Sequence, residues 1–272
     1  MPTDALHARV PHWRVALRHR LYSLGLKSAA HLPLPDFLGI GAQKAGTSWL
    51  HANLQVHPRI FMPPEAKEVH FFDRHILNYG LDGYSSLFRD AGDRIKGEIT
   101  PAYGVIESKR IRFIRAVMPG VKLIFLMRNP IDRAWSQALM ELSTKPGRPF
   151  EQITDEEFIN HFRGERSSRR GNYESILSNW LGVFPREQLF IGMYDDIATR
   201  PRELLTEVFA FLGAAGEVDW NLFPVEKVVF KGPPHPLPQR LRQILLEMYH
   251  RAIKRLGEKY GAPAEKWLAE IA

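Results

Sequence analysis

Three short apolar runs stand out along the chain, each ending in a polar or glycine-marked turn and each followed by residues at helical spacing. Phe37 to Ile40 delivers a glycine-rich turn and then Thr47 to Val56. Val121 to Met127 ends at Arg128-Asn129-Pro130, ahead of Ile131 to Leu142, and Leu189 to Tyr194 ends at Asp195-Asp196, ahead of Pro201 to Leu212. Short apolar runs bounded by turns read as buried strands, and longer stretches with apolar positions three and four apart read as amphipathic helices. Strand then helix, repeated three times, predicts an α/β fold with a central parallel sheet covered by helices. A further strand is predicted within Arg94 to Thr100, and helices over Glu107 to Val117, Asp155 to Phe162, Asn172 to Phe184 and Gln239 to Leu256. Ser167 to Gly171 reads as an exposed basic turn. Residues 219–239, with five prolines, read as a long loop of the kind that serves as a lid or clamp.

Ahead of the first run, Val10, Trp13, Leu17, Leu21 and Leu24 recur at helical spacing among Arg9, Arg14, Arg18, Arg20 and Lys27. The expected structure is an amphipathic helix whose apolar face packs on the domain, with a membrane-surface or nucleic-acid contact as the alternative. Residues 1–35 then form a basic helical extension, and 36–272 form one domain beyond the proline-punctuated His31 to Pro35. Arginines interrupt any signal-peptide core in this segment.

Composition narrows the picture. A chain of 272 residues, 44% hydrophobic and 25% charged, can bury a substantial core and is neither disordered nor fibrous. No apolar stretch reaches the length of a membrane span. The absence of cysteine removes disulfides, thiolate-bound zinc and a thiol nucleophile, and fits a reducing, cytoplasmic location. An excess of 37 Lys+Arg over 30 Asp+Glu, a net charge of +7, favours anionic ligands without saying which.

The candidate chemistry begins at Gly41-Ala42-Gln43-Lys44-Ala45-Gly46-Thr47-Ser48, between a strand and a helix. Its two glycines have the spacing of a triphosphate-binding loop, but Thr47 holds the place of the usual lysine and Lys44 sits three residues earlier. Backbone N–H groups at the start of the next helix suit an anion all the same. Arg128 follows a buried strand directly, with Ser136 two helical turns on; a guanidinium fork and a hydroxyl suit a second phosphate. Taken alone, the pair reads first as a helix-start arginine paired with Asp132 and a surface serine; the glycine loop on a neighbouring strand is what favours the phosphate site. Glu68, His70 and Asp73 fall within six residues beside Phe71 and Phe72. In an extended segment Glu68 and His70 would share a face, where a carboxylate and an imidazole can take a proton from a hydroxyl. Ligands in open parallel sheets bind beyond the carboxyl ends of the strands, so these groups are expected to share one crevice.

Four ordered blocks, Gly41 to Ser48, Lys67-Glu-Val-His-Phe-Phe-Asp73, Gly97-Glu-Ile-Thr-Pro-Ala-Tyr103 and Leu126-Met-Arg-Asn-Pro-Ile-Asp-Arg-Ala-Trp-Ser136, together resemble the sulfotransferases that use 3′-phosphoadenosine-5′-phosphosulfate. Within them the pattern is most similar to the heparan-sulfate-type branch and its bacterial relatives. The resemblance runs from about residue 36 to the C-terminus and implies a three-layer, P-loop-like fold. It makes Gly41, Gln43, Lys44, Ala45, Gly46, Thr47 and Ser48 the 5′-phosphosulfate loop, with Lys44 at the phosphosulfate bridge. Arg128 and Ser136 become the 3′-phosphate clamp, and Phe230-Lys231-Gly232 resembles a late loop in which Lys231 and the Gly232 amide close over that phosphate. Glu68 matches the general base, with His70 in support and Asp73 and Tyr173 on the acceptor side. The implied reaction passes a sulfuryl group to a hydroxyl, or an amine, of a carbohydrate or small molecule, with no metal and no nucleic acid. Two positions depart from the animal enzymes of that branch: Ile99 stands where they have lysine, and Pro233 where they have arginine. Rival readings are an ATP-dependent kinase, which would need a lysine at position 47 and Asp195 or Asp196 for magnesium, and a nucleotide- or nucleic-acid-binding protein without turnover.

Overall fold

The structure, a computed structural model, describes residues 11–64, 66–143, 149–227 and 235–269. It opens with helix α1 (His12–Ser23), strand β1 (Phe37–Gly41) and helix α2 (Thr47–Gln55). There follow β2 (Ile60–Phe61), α3 (Ile76–Ser86), β3 (Ile95–Ile99), α4 (Ser108–Val117), β4 (Lys122–Met127) and α5 (Pro130–Leu142). Helices α6 (Asp155–Arg163), α7 (Glu165–Gly171) and α8 (Tyr173–Leu181) lead to β5 (Leu189–Met193). The chain then runs through α9 (Asp196–Thr199), α10 (Pro201–Leu212), α11 (Gln239–Tyr260) and α12 (Ala262–Ala269).

The five strands form one parallel sheet in the order β2-β3-β1-β4-β5. Strand β1 is buried at every position and β4 at all but its first, which is why both read as unbroken apolar runs. Close packing across the sheet demands glycine at two points. A Cβ on Gly97 would lie 2.0 Å from the Phe37 ring, and one on Gly39 would lie 2.6 Å from the Ile99 side chain. From β1 the chain builds outward to β2 and β3; it then jumps over β1 to β4 and continues to β5. Adjacent strands β1 and β4 therefore send their connections to opposite sides, and such a switch point opens a crevice at their carboxyl ends.

Helices α3, α9 and α12 add to the elements read from the sequence, and three further elements differ from expectation. Strand β2, only two residues long, carries too little pattern to be read. The expected basic turn at Ser167 to Gly171 is helix α7. Ser167 is 1% exposed there, and Gly171 lies against Tyr249, where a Cβ would come within 2.6 Å of the phenol oxygen. Helix α1 forms, but on the opposite face: Val15 and Tyr22 are buried, whereas Trp13, Leu17 and Leu24 are 64%, 52% and 61% exposed. Val15 packs near Gly80 of α3, and Arg18 pairs with Asp82 at 2.6 Å.

Candidate active site

The glycine loop leaves β1 and enters α2 through two left-handed residues, Lys44 at φ 70° and Gly46 at φ 83°. Glycine adopts this region freely, whereas a lysine there costs of order 1–3 kcal/mol. The turn aims the first N–H groups of α2, which have no acceptor inside the helix, into the crevice. Ala45 is fully buried and its N–H donates to Ala42 at 3.2 Å; Thr47 is 7% exposed, and Ser48 is half-buried beside it. The Gln43 side-chain oxygen is buried and accepts no hydrogen bond. Lys44 is half-buried, with its ammonium 3.7 Å from the Met140 sulfur on α5. Burial, and then the positive charges of Arg128 and Lys67, lower its pKa, so positive charge gathers at this corner.

Arg128 leaves β4 just before α5, whose start is fixed by the Asn129 side chain accepting from Ile131 N–H at 3.0 Å and by Pro130. Its guanidinium donates to the Lys44 carbonyl at 3.0 Å and lies 4.4 Å from the Tyr194 ring centroid, so two neighbouring strand ends are tied together. The Arg128 Nε is buried with no acceptor, a donor prepared for an anionic oxygen. Ser136 is half-buried on α5, four residues before Met140, and thus shares the helix face that meets Lys44. Arg128 does not depend on Asp132 for its position.

Glu68, His70 and Asp73 do come together, by a different route from the extended segment expected. His70 is left-handed, at φ 55°, so the backbone turns back on itself. The imidazole then lies between two carboxylates, with Nε2 3.1 Å from Glu68 Oε2 and Nδ1 2.9 Å from Asp73 Oδ2. Hydrogen bonds to Asp73 and Glu68 outweigh burial and push His70 up to about 9, making it an imidazolium at neutral pH. Burial pushes Glu68 upward, but the bond to His70 and the charges of His70, Lys67 and Arg74 leave it below its ordinary value. Glu68 is therefore an ionised, partly exposed carboxylate. Asp73 is turned onto His70 and is mostly buried.

Tyr173 requires a correction. It is 1% exposed, and its hydroxyl donates to the Arg128 carbonyl at 2.9 Å, so it supports the arginine from below and has no surface to offer an acceptor. Asp195 accepts from Trp267 Nε1 at 3.2 Å, and Asp196 holds Arg200 through bonds of 2.9 and 2.8 Å. Both aspartates thus have structural partners. Lys231, Gly232 and Pro233 lie outside the described residues. Trp49 of α2 donates to the Val225 carbonyl at 2.8 Å, and Trp135 of α5 donates to that of His235 at 3.0 Å, so the two helices that follow the phosphate loops also anchor the chain on either side. Tyr194 and Met140 were not singled out from sequence. Only the position of Tyr194 at the end of the third apolar run hints at the site.

The sulfotransferase domain family matches residues 34–227, most of the chain. This protein belongs to the sulfotransferase family. Human heparan sulfate glucosamine 3-O-sulfotransferase 6 is 32% identical over 250 residues, covering 84% of this chain and 72% of that protein. Human heparan sulfate glucosamine 3-O-sulfotransferase 3B1 is 34% identical over 187 residues; the matched part spans 66% of this chain but only 46% of the relative. Among solved structures, a sulfotransferase from Alicyclobacillus acidocaldarius superimposes with a TM-score of 0.65 at 26% identity, over 86% of this chain and 98% of that one. Lys44 and Arg128 both fall within the matched residues. Ile99, one of the two positions that depart from the expected pattern, is 2% exposed and packs on Gly39, so it presents nothing to the crevice.

Proposed function

We propose that this sulfotransferase takes a sulfuryl group from 3′-phosphoadenosine-5′-phosphosulfate and passes it to an acceptor hydroxyl or amine. The observation that carries the reading is Arg128, fastened by one nitrogen to the Lys44 carbonyl and left with a buried, unsatisfied Nε. A donor carrying two separate phosphates needs two linked anion sites, and these residues fit that need. The α2 amides, Thr47, Ser48 and Lys44 would hold the 5′-phosphosulfate; Arg128 and Ser136 would hold the 3′-phosphate.

In the transfer, the acceptor proton goes to Glu68 as the new bond to sulfur forms. The bond from sulfur to the bridging oxygen breaks, and the electron pair stays on the 5′-phosphate of adenosine 3′,5′-bisphosphate. Lys44 is three residues early because this is where negative charge grows, and preorganised positive charge there lowers the barrier. The imidazolium of His70 holds Glu68 in place and keeps it ionised. The named substrates of the relatives make a carbohydrate the first acceptor class to try, and the loss of lysine at position 99 favours one less anionic than heparan sulfate.

Titration calorimetry with adenosine 3′,5′-bisphosphate tests the donor site: saturable binding is expected, weakened at least tenfold in Arg128→Ala. Equal binding by that variant would sink the assignment. Glu68→Gln should keep nucleotide affinity within about twofold while losing at least 10²-fold in transfer, the size of a general-base contribution.

A further inference from the structure

The segment carrying Glu68, His70 and Asp73 is held from beneath by a chain of hydrogen bonds that begins at one buried carboxylate. Glu98, near the carboxyl end of β3, is 1% exposed. Its Oε1 accepts from the hydroxyls of Tyr103 at 2.7 Å and Tyr84 at 2.8 Å, and its Oε2 accepts from Thr100 at 2.6 Å. Thr100 Oγ1 in turn accepts from the N–H groups of Val69 at 3.0 Å and His70 at 3.3 Å. The Tyr103 hydroxyl accepts from those of Phe71 at 2.9 Å and Phe72 at 3.4 Å. Consecutive N–H groups from 69 to 72 thus converge on two hydroxyl oxygens, a concave array that the left-handed His70 makes possible.

A hydroxyl has one proton and two lone pairs. Two N–H donors occupy the lone pairs of Thr100 and of Tyr103, so each proton points at Glu98, which must accept from both. Glu98 thus orients both hydroxyls, turning their lone pairs toward the 69–72 segment. Burial holds Glu98 above its ordinary value; its three hydroxyl partners offset this only in part, and the negative charge of Asp73 adds to the upward push.

We infer that Glu98 is a positioning residue for the transfer reaction: through Thr100 and Tyr103 it sets the turn that aims Glu68 and the bridging His70 at the acceptor. This rests on the reading of Glu68 as the base, but the chain itself can be tested without that assumption. Tyr84 supplies the control, because its hydroxyl reaches Glu98 and is as deeply buried as that of Tyr103, yet is not bonded to the 69–72 turn.

Glu98→Gln, whose amide must meet lone pairs already in use, is expected to lower kcat by about 10–100-fold with nucleotide affinity within twofold, the scale of a small misplacement of reacting groups. Because that variant also disturbs the buried network itself, pairs of milder ones carry the decision. Thr100→Val and Tyr103→Phe should lower kcat at least tenfold; Thr100→Ser and Tyr84→Phe should stay within threefold of wild type. The His70 imidazole, followed by NMR titration, should titrate lower in the first pair and unchanged in the second. If Tyr84→Phe and Tyr103→Phe lose kcat alike and leave His70 alike, the network is merely structural and the inference fails. If His70 responds as expected while Glu68→Gln retains turnover, the positioning chain stands and the base assignment falls.

The outer face of α1 carries a second, independent inference. At 100° per residue, Trp13, Leu17 and Leu24 lie within about 40° of one another, roughly opposite the buried Val15 and Tyr22. Arg20 flanks this exposed stripe on one side and Arg14 on the other, whereas Arg18 is turned toward α3 and paired with Asp82. An outward apolar stripe between cationic borders matches the headgroup boundary of an anionic bilayer, with apolar side chains below the phosphates and guanidinium groups among them. We propose that α1 docks the protein on anionic membrane surfaces. The full chain should co-sediment with phosphatidylcholine vesicles containing about 30% phosphatidylglycerol, the bound fraction falling at least tenfold for Trp13→Ala/Leu17→Ala and for Arg14→Glu/Arg20→Glu. Absence of binding, equal binding to neutral vesicles, or a solution dimer that the same substitutions abolish would each overturn it, the last by assigning the stripe to a second copy.

Discussion

His70 concentrates the residue-scale physics, because its protonation state and its backbone conformation serve the same arrangement. The folded-state value of about 9 lies above the ordinary value of 6.5. Its bridge therefore contributes stability that is fully present below the unfolded value and is lost as pH rises through the folded one. If the imidazolium must hold Glu68, turnover at saturating donor should fall on a basic limb near pH 9. Asp73→Asn removes the largest support for the charged form, so that limb should move toward neutrality, together with the NMR titration of the ring. A limb that stays in place would separate His70 from catalysis. The residue types Glu68, His70 and Asp73 were legible in the sequence, and so was Lys44 as an anomaly. The left-handed turn at His70 was not. Its cause lies some thirty residues away, in hydroxyls that face it only after β3 has been placed.

Elements were readable wherever burial on both faces or a stable amphipathic period left a long enough pattern. Strand β4 and helix α5 follow this rule, and the junction between them carries Arg128. Asn129 caps that junction, so Asn129→Ala should cost about 1 kcal/mol in urea denaturation. It should also weaken adenosine 3′,5′-bisphosphate binding severalfold in calorimetry, because the preceding residue loses its fixed exit angle. Thr154→Ala offers the comparison: Thr154 and Glu157 form a reciprocal capping box on α6, and its loss should cost similar stability with nucleotide affinity unchanged. Equal affinity in the Asn129 variant would mean that the strand alone aims Arg128. Helix α7 escaped sequence reading because its arginines mask a packing face made of only Ser167 and Gly171. Helix α1 was read with the wrong side inward, since the stripe with the larger side chains is the one left outside.

Over the whole molecule, the switch between β1 and β4 sets the Gly41–Ser48 loop beside Arg128, while the chain flanking the proline-rich stretch is tied to α2 and α5. Binding at both phosphate positions should then stabilise the fold as a unit, and the gain can be separated into parts. A ligand at about 100 times its Kd adds about 2.7 kcal/mol. At roughly 2–4 °C per kcal/mol for a chain somewhat smaller than this one, that amounts to a rise of about 5–10 °C in Tm. Adenosine 3′,5′-bisphosphate should give this rise, whereas 5′-AMP and 3′-AMP at the same concentration should each give a clearly smaller one. Arg128→Ala should reduce the response to the bisphosphate to that of 5′-AMP. ATP with magnesium should stabilise less than the bisphosphate, because Thr47 stands where a triphosphate loop places its lysine and Asp196 is already paired with Arg200. A larger shift with ATP and magnesium would restore the kinase reading and remove the two-phosphate clamp. The ordering of the four nucleotides, read from one set of melting curves, therefore decides whether the displaced Lys44 serves a bridging oxygen or a terminal phosphate.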